Sequence, residues 1–586
     1  MAVTKHLSRT LVTCLAACAA AAILALCSPV RALAEGETGN LTVTATEGAS
    51  TKLRAYQLFS GDVTDVRSGR SSEKVIVDVS WASEEAEEAV TSAITSAEPG
   101  YRGTTAEDAS EWLRDKVQGD KDVAPEAGSV PAAVARALSH TSGPAYDVTA
   151  GETVALPEGY WLVVSDDGAV GTGQSGTAAI LALVGGADVT ATTKAAAPTV
   201  EKQVLEDSGD AWQKQADATV ADELDWRLVA TVPVDLTAYA SYSVTFHDVL
   251  SAGIAEPSGV RVYVASLSEE AWGNGTKPGA KAGWTELVNA DPNSPAYTTS
   301  YDPSGDEPTF ELIVTDLRRS AEENGIDVSA GIRVCVVYDA PLTQDAERGV
   351  EHGNPNTVTL RYPASPYTEA RGETQEDEAI AYTWDLNLVK RSSLDEKPLA
   401  GAVLRVTDDR GRHLTQEGTW TGDDATVTTG EDGTISAAGV DSGTFKVEEV
   451  KAPAGYVGVT DKLVVRLSAS LEADRISHHL EKAADPEELS PGEWALVATK
   501  PLELASFDPD ASGVATAFVP NAPEGEAPPQ GGGGGSVAEA LRRALPRTPS
   551  TGDPTSFVPV VCLAAAGVAL IAFAIWRMRG GREDRR

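Results

Sequence analysis

Trp384-Asp385-Leu386-Asn387-Leu388-Val389-Lys390 alternates apolar and polar side chains until its last inward position, where a lysine stands. Successive side chains of a strand point to opposite faces, so residues two apart line one face. Trp384, Leu386, Leu388 and Lys390 therefore share a face. Phe445, Val447 and Glu449 share another, and Ala515, Ala517, Val519 and Asn521 a third. A lysine, an acid and a carboxamide each fall in line with apolar side chains. The arrangement recurs upstream, in Val200-x-Lys202-x-Val204, in Tyr242, Val244, Phe246 and Asp248, and in Asn356, Val358, Leu360 and Tyr362. Asn354 has the parity of Asn356 and stays open as the carboxamide. Glu448 shares a face with Lys446 and is expected in solvent, and His247 faces away from Asp248. Isolated buried charges are costly, so two matched sets need a chemical reason.

Working outward, the strand signals group into domains. Residues 198–368 read as an all-β sandwich, with strands at Val200–Val204, Leu224–Val232, Tyr242–Leu250, Val260–Val264, Phe310–Val314, Ile332–Tyr338 and Thr357–Tyr362. Gly273 to Pro308, rich in Gly, Pro, Asn and Asp, reads as a long surface insertion. Its acids have no ordered calcium-ligand spacing, and the seven His no metal-like spacing. Residues 380–523 read as a shorter β domain, with strands at Trp384–Lys390, Ala402–Asp408, Thr444–Glu449 and Leu463–Leu467. Residues 35–195 read as mixed. Strands at Leu41–Ala45, Arg54–Phe59, Gly159–Val164 and Ala178–Val184 flank a helical middle, Glu84 to His140, with a cap-like Thr105-Ala106-Glu107-Asp108. The fold class is mainly β, with tandem sandwiches behind a mixed N-terminal domain.

The formal net charge of −40 argues against nucleic acid as a partner and suits a soluble extracellular protein. Cys14, Cys18 and Cys27 fall in the first 34 residues and Cys562 near the end, which leaves Cys335 alone between them. Stabilisation by internal disulfides is therefore not expected. No cofactor and no metal are expected.

Both ends carry export signals. Lys5 and Arg9, the apolar run Leu11–Leu26 and Ala32-Leu33-Ala34 form a secretory signal over residues 1–34. Residues 524–547 are a Pro/Gly-rich linker with Gly531–Gly535. Residues 548–586 join Thr548-Pro549-Ser550-Thr551-Gly552 to an uncharged stretch, 557–576, and an arginine-rich tail. That stretch matches the roughly 20 residues of a transmembrane helix, and the tail marks the cytoplasmic side.

Motif, span and basic tail together resemble the cell-wall sorting signal of Gram-positive surface proteins, of the LPXTG type. The resemblance implies that a sortase cleaves between Thr551 and Gly552. Leu545-Pro546-Arg547-Thr548 has the right opening for the motif, but Pro549 stands where Gly is needed. The runs Ala55–Asp62 and Gly159–Val163 resemble the N-terminal domain of SpaA-type backbone pilins. In that family the joint held here by Thr192-Thr193-Lys194-Ala195 carries the lysine that attacks the sortase-bound Thr of the next subunit. Lys397-Pro398-Leu399-Ala400-Gly401-Ala402 and Glu449-Val450-Lys451-Ala452-Pro453-Ala454-Gly455-Tyr456 resemble the Cna-B-type immunoglobulin-like domain, the second matching its glutamate motif.

The order lysine, acid, asparagine in both domains is similar to that of isopeptide-forming fimbrial domains. The resemblance implies that Lys202 bonds Asn356 with Asp248 assisting, and Lys390 bonds Asn521 with Glu449 assisting. Burial favours a neutral, nucleophilic amine and a protonated acid that polarises the Asn carbonyl. The chain is thus expected to be a cell-wall-anchored pilus subunit that is not an enzyme beyond its own crosslinking. Its expected partners are pilin-class and housekeeping sortases, other pilin subunits, peptidoglycan and a host surface receptor. A monomeric wall-anchored adhesin, or a tip or base pilin, is the alternative. A wall-anchored hydrolase needs a catalytic set in residues 35–195, and the sequence offers none.

Overall fold

The computed structural model describes residues 37–524, apart from 69–70, 118–122, 142, 208–210, 273–282, 290, 306, 350–352, 460–462, 473–474, 481–494 and 497–512. The signal sequence, the linker beyond Glu524, and the sorting signal with Thr551, Gly552 and the span 557–576 lie outside the described residues. Among the described residues no helix is long and apolar enough to cross a membrane. The described chain is mainly β, in six sheets.

The N-terminal part holds an antiparallel sheet of Ser71–Trp81, Lys52–Ser68, Gly159–Ser165 and Ile180–Val184, with Tyr146–Thr149 paired to the long second strand. A three-stranded sheet, Thr153–Pro157, Thr38–Thr44 and Val189–Thr192, closes its other side. Helices Glu84–Ala97, Ala106–Lys116 and Val130–Ser139 pack on the larger sheet. Each begins where a hydroxyl can accept from the first turn: Ser83, Thr105 and Ser129. Thr105 and Asp108 close a reciprocal capping box. Ala89, Val90, Ala93 and Ile94 recur at helical spacing and meet Leu58, Phe59, Leu162 and Val164 in one core.

The second unit is a sandwich. One sheet runs Ala211–Gln213, Thr199–Glu206, Asp225–Val232, Ile332–Asp339, Ser258–Ser266 and Thr285–Glu286. The other runs Gln215–Asp217, Asp377–Tyr382, Asn354–Pro363, Val244–Leu250, Thr309–Val314 and Tyr297–Asp302. Between them lies the largest apolar core, with Trp226, Leu228, Phe246, Val334, Val336 and Leu360 fully buried. The outer face of the first sheet is also covered, by Trp212, Tyr263, Trp272 and Trp284, and Cys335 is buried there as a free thiol. Burial pushes that thiol up to about 12.

Three features differ from the sequence expectations. Tyr297–Asp302, read as part of a surface insertion, is a strand paired antiparallel to Thr309–Val314. Its side chains are mostly exposed, so it has no alternating apolar signature. Asp377–Tyr382 pairs with Asn354–Val358 and belongs to the sandwich of the second unit, which therefore runs past residue 368. The joint to the third unit falls at Thr383 rather than before residue 380. Glu376-Asp377-Glu378 conceal this strand in the sequence, since its buried positions are Ala379, Ala381 and Tyr382. The short helix Leu317–Glu323, capped by Asp316, was not foreseen.

The third unit pairs a sheet of Thr434–Val440, Trp384–Ser392 and Val514–Asn521 with a larger one built on Val403–Thr407, Gly443–Lys451, Leu463–Glu472 and Arg475–Leu480. Its first and last strands run parallel, Asp385 opposite Val514 through Ser392 opposite Asn521. Trp384, Leu386, Leu388, Leu404, Phe445, Val447 and Val465 fill the core.

Candidate functional site

Thr199–Glu206 belongs to one sheet of the second unit's sandwich, and its inward lysine crosses the core to the other. Asp248 and Asn356 lie on adjacent strands of that other sheet. Asp248 is opposite Val358 and Leu250 opposite Asn356, so the two are diagonal neighbours on the inner face. Lys202, Asp248 and Asn356 are each 0% exposed. The structure brings all three together. Lys202 Nζ donates to Asp248 Oδ1 at 2.5 Å and to the Tyr338 hydroxyl at 2.9 Å. That hydroxyl donates to Asp248 Oδ2 at 2.5 Å and accepts from Asn356 Nδ2 at 3.0 Å. The ammonium-bearing end lies 5.5 Å from the ring centres of both Trp226 and Tyr338. Burial draws the Lys202 amine down to about 8, against the opposing pull of Asp248. Burial raises the Asp248 carboxyl, against the opposing pull of Lys202. Both shifts favour the neutral pair, an amine with a free lone pair beside a carboxylic acid.

The carboxamide left open by strand parity is distinguished by its partners. Asn354 is engaged on both sides. Its Oδ1 accepts from Glu347 N at 2.9 Å, and its Nδ2 donates to the carbonyls of Glu347 and Ala381, each at 3.1 Å. Asn356 Oδ1 is buried with no hydrogen bond.

In the third unit Lys390 is 0% exposed, the Glu449 side chain 2% and Asn521 1%. Lys390 and Asn521 stand on the parallel first and last strands, where Lys390 is opposite Val519 and Ser392 opposite Asn521. Lys390 Nζ lies 2.8 Å from Glu449 Oε1, at an angle that makes no hydrogen bond, and both atoms are buried without one. Burial lowers the lysine, against the opposing pull of Glu449. Asn521 Nδ2 donates to Glu449 Oε2 at 3.1 Å and to Val457 O at 2.8 Å, while Asn521 Oδ1 has no partner. The run Ala452–Tyr456 explains the spacing. It turns at Gly455, whose φ of +84° suits a residue without a side chain, and Tyr456 N bonds back to Pro453 O at 3.2 Å. The turn carries Val457 O onto the carboxamide and Val459 N onto Glu449 Oε2, at 2.6 Å.

Glu448 is turned toward Arg405, 3.4 Å away, and His247 toward Glu311, 3.1 Å away. Lys194 lies in neither set. Its backbone N–H donates to Thr177 Oγ1 and its Nζ to Val123 O, both at 2.7 Å. It borders a groove of about 520 Å³ between the first and second units, lined also by Thr46, Ala196, Val234, Asp235 and Tyr239. Among the described residues no cluster of three or more His, Cys, Asp or Glu could hold a metal ion.

Sequence reading missed Tyr338. It closes an inward row of Ile332, Val334 and Val336, and an aromatic in that position reads as one more core side chain. A hydroxyl in line with Lys202, Asp248 and Asn356 was the available signal.

Residues 385–477 match the family model of the SpaA prealbumin-like fold domain. A curated relative, the trypsin-resistant surface T6 protein of Streptococcus pyogenes serotype M6, is 29% identical over 137 residues. That match takes in 21% of this chain and 23% of the relative's length. Among solved structures, the T6 backbone pilin of serotype M6 Streptococcus pyogenes superposes with a TM-score of 0.47 at 16% identity, over 84% of this chain and 100% of that one. The full-length major pilin SpaD of Corynebacterium diphtheriae gives 0.40 at 15% identity, over 83% and 98%. The Glu449 turn and the buried Lys390 both lie inside the span, residues 385–477, that is similar to the SpaA prealbumin-like fold domain.

Proposed function

We propose that the chain is a structural subunit of a covalently polymerised surface pilus, with one intramolecular Lys–Asn isopeptide bond in each of its second and third domains. The observation that carries this reading is the pair of buried sets, Lys202 with Asp248 and Asn356, and Lys390 with Glu449 and Asn521. A lone buried ion pair is weak evidence of stability and costs desolvation. Two such pairs, each beside a buried carboxamide whose oxygen has no hydrogen bond, fit a reaction better than a scaffold.

In each set the acid takes a proton from the lysine, and the neutral amine attacks Cγ of the asparagine. The Nζ–Cγ bond forms, a further proton passes from Nζ to Nδ2, the Cγ–Nδ2 bond breaks, and ammonia departs. Groups held at contact distance make the step effectively unimolecular. Closing the segment between Lys202 and Asn356 is worth roughly 5 kcal/mol on disulfide-type loop entropy. The amide also resists reduction, in a described chain whose single cysteine is unpaired.

Polymerisation uses the two ends of the chain. A sortase cuts after Thr551 and transfers the acyl group to Lys194 of a neighbour, which the groove beside Lys194 could receive as an extended peptide. Peptidoglycan then anchors the polymer, and adhesion to host surfaces follows from its display. The similarity of part of the chain to a protein named as a trypsin-resistant surface protein is in keeping with surface display.

Intact mass and crosslink mapping of the purified whole chain test the bonds. Two intramolecular ammonia losses, about 34 Da in all, are expected, with peptides joined at Lys202–Asn356 and Lys390–Asn521. A mass equal to that of the bare chain overturns both.

A further inference from the structure

The two lysine sets differ in how the acid reaches the departing nitrogen. In the third domain Glu449 serves both nitrogens, with Oε1 at 2.8 Å from Lys390 Nζ and Oε2 accepting from Asn521 Nδ2 at 3.1 Å. In the second domain the acid is an aspartate, one methylene shorter. Asp248 Oδ1 accepts from Lys202 Nζ at 2.5 Å, but Asn356 Nδ2 donates to the hydroxyl of Tyr338 instead. That hydroxyl stands 2.9 Å from the attacking nitrogen and 3.0 Å from the leaving one. Its own proton points to Asp248 Oδ2, 2.5 Å away. One donor and two acceptor sites are thus all in use, each by a member of the set.

We infer that Tyr338 is a catalytic residue of the Lys202–Asn356 crosslinking, a hydroxyl that carries a proton from the attacking nitrogen to the leaving one. The inference rests on the isopeptide reading above. The balance is internal. Nζ bonds to Cγ, and the tetrahedral centre gives Nδ2 a lone pair. The Tyr338 hydroxyl passes its proton to Nδ2 as it takes one from Nζ. The Cγ–Nδ2 bond breaks, ammonia leaves, and the hydroxyl is restored. Asp248, hydrogen-bonded to both Nζ and the hydroxyl, holds them in line. Tyr338 is 1% exposed, in a site whose other members are fully buried, so the transfer needs a relay made by the protein. Burial keeps the phenol protonated, well above its ordinary value. The third domain needs no such residue, because the longer acid touches both nitrogens itself.

The test is Tyr338→Phe, which keeps the ring and removes the oxygen, in the whole chain, with each bond followed by peptide mapping over time. The expected result is a Lys202–Asn356 bond that forms about 100-fold more slowly, the size of a general acid–base contribution. The Lys390–Asn521 bond should form at its usual rate and serve as the internal control. Asp248→Glu in the Tyr338→Phe background supplies the missing reach at nearly constant volume and should restore the first bond. Unchanged formation of that bond in Tyr338→Phe overturns the inference. So does a loss that the longer acid does not restore, which assigns the hydroxyl a packing role. If the unaltered chain lacks the Lys202–Asn356 bond, the isopeptide reading itself fails. If the unaltered chain has it and Tyr338→Phe forms it equally fast, only the role of Tyr338 fails.

Discussion

Trp384 donates its indole N–H to Asp217 Oδ2, 2.7 Å away, across the joint between the second and third domains. The same oxygen accepts from Ser442 N at 3.0 Å, and Asp217 is 3% exposed. Nearby, Asp222 of the second domain is held by Arg410 and Arg412 of the third. The joint is therefore a polar, specific contact and not a loose tether. Asp217→Ala removes two hydrogen bonds to a buried acceptor and should destabilise the joint by about 2 kcal/mol. Limited proteolysis near Thr383 should accelerate accordingly, while the core of the N-terminal domain stays protected.

The joint should also respond to acid. Burial holds the Asp441 carboxyl well above the usual carboxylate range, and neighbouring Asp217, Asp207 and Glu206 add to the effect. A folded chain that keeps a proton the unfolded chain has lost is stabilised less as pH rises. The contribution is complete below the ordinary carboxylate value of about 4 and fades as pH climbs toward the raised value. Melting curves of the whole chain should show the joint firmer at mildly acidic than at neutral pH. Asp441→Asn should flatten that dependence.

Each crosslink should fail separately. Asp248→Ala should retain one ammonia, about 17 Da, keep the Lys390–Asn521 bond, and leave Lys202 buried without its acid. The lost loop constraint alone amounts to roughly 5 kcal/mol, so the second domain should unfold at distinctly lower denaturant. Glu449→Ala should do the converse. Intact mass and denaturant melts check both.

Polymer formation has its own readout. Lys194→Ala should abolish high-mass ladders in denaturing gels of envelope extracts while both intramolecular bonds form normally. Ladders that persist assign the acceptor to another lysine, and their absence in the unaltered chain favours a monomeric adhesin.

Legibility followed burial. The inner strands, such as Val244–Leu250 and Asn354–Pro363, bury every second side chain without exception, and parity alone aligned Lys202, Asp248 and Asn356 with the core. Tyr297–Asp302 escaped because its side chains are mostly exposed, and Asp377–Tyr382 because it opens on acids, so neither shows a clean apolar alternation. Parity could not separate Asn354 from Asn356, since the difference lies in their hydrogen-bond partners, which distant residues supply. Tyr338 was hidden for a related reason: its ring satisfies the apolar pattern, and its hydroxyl acquires meaning when the opposite sheet arrives.

The parallel pairing of Trp384–Ser392 with Val514–Asn521 bears on how the third domain meets mechanical tension. Force applied to its two termini enters on the first of these strands and leaves on the last. With an amide between Lys390 and Asn521, the load passes from one strand to the other through a covalent bridge. The segment between them stays outside the load path, so pulling on the ends of the domain would strain bonds rather than unravel it.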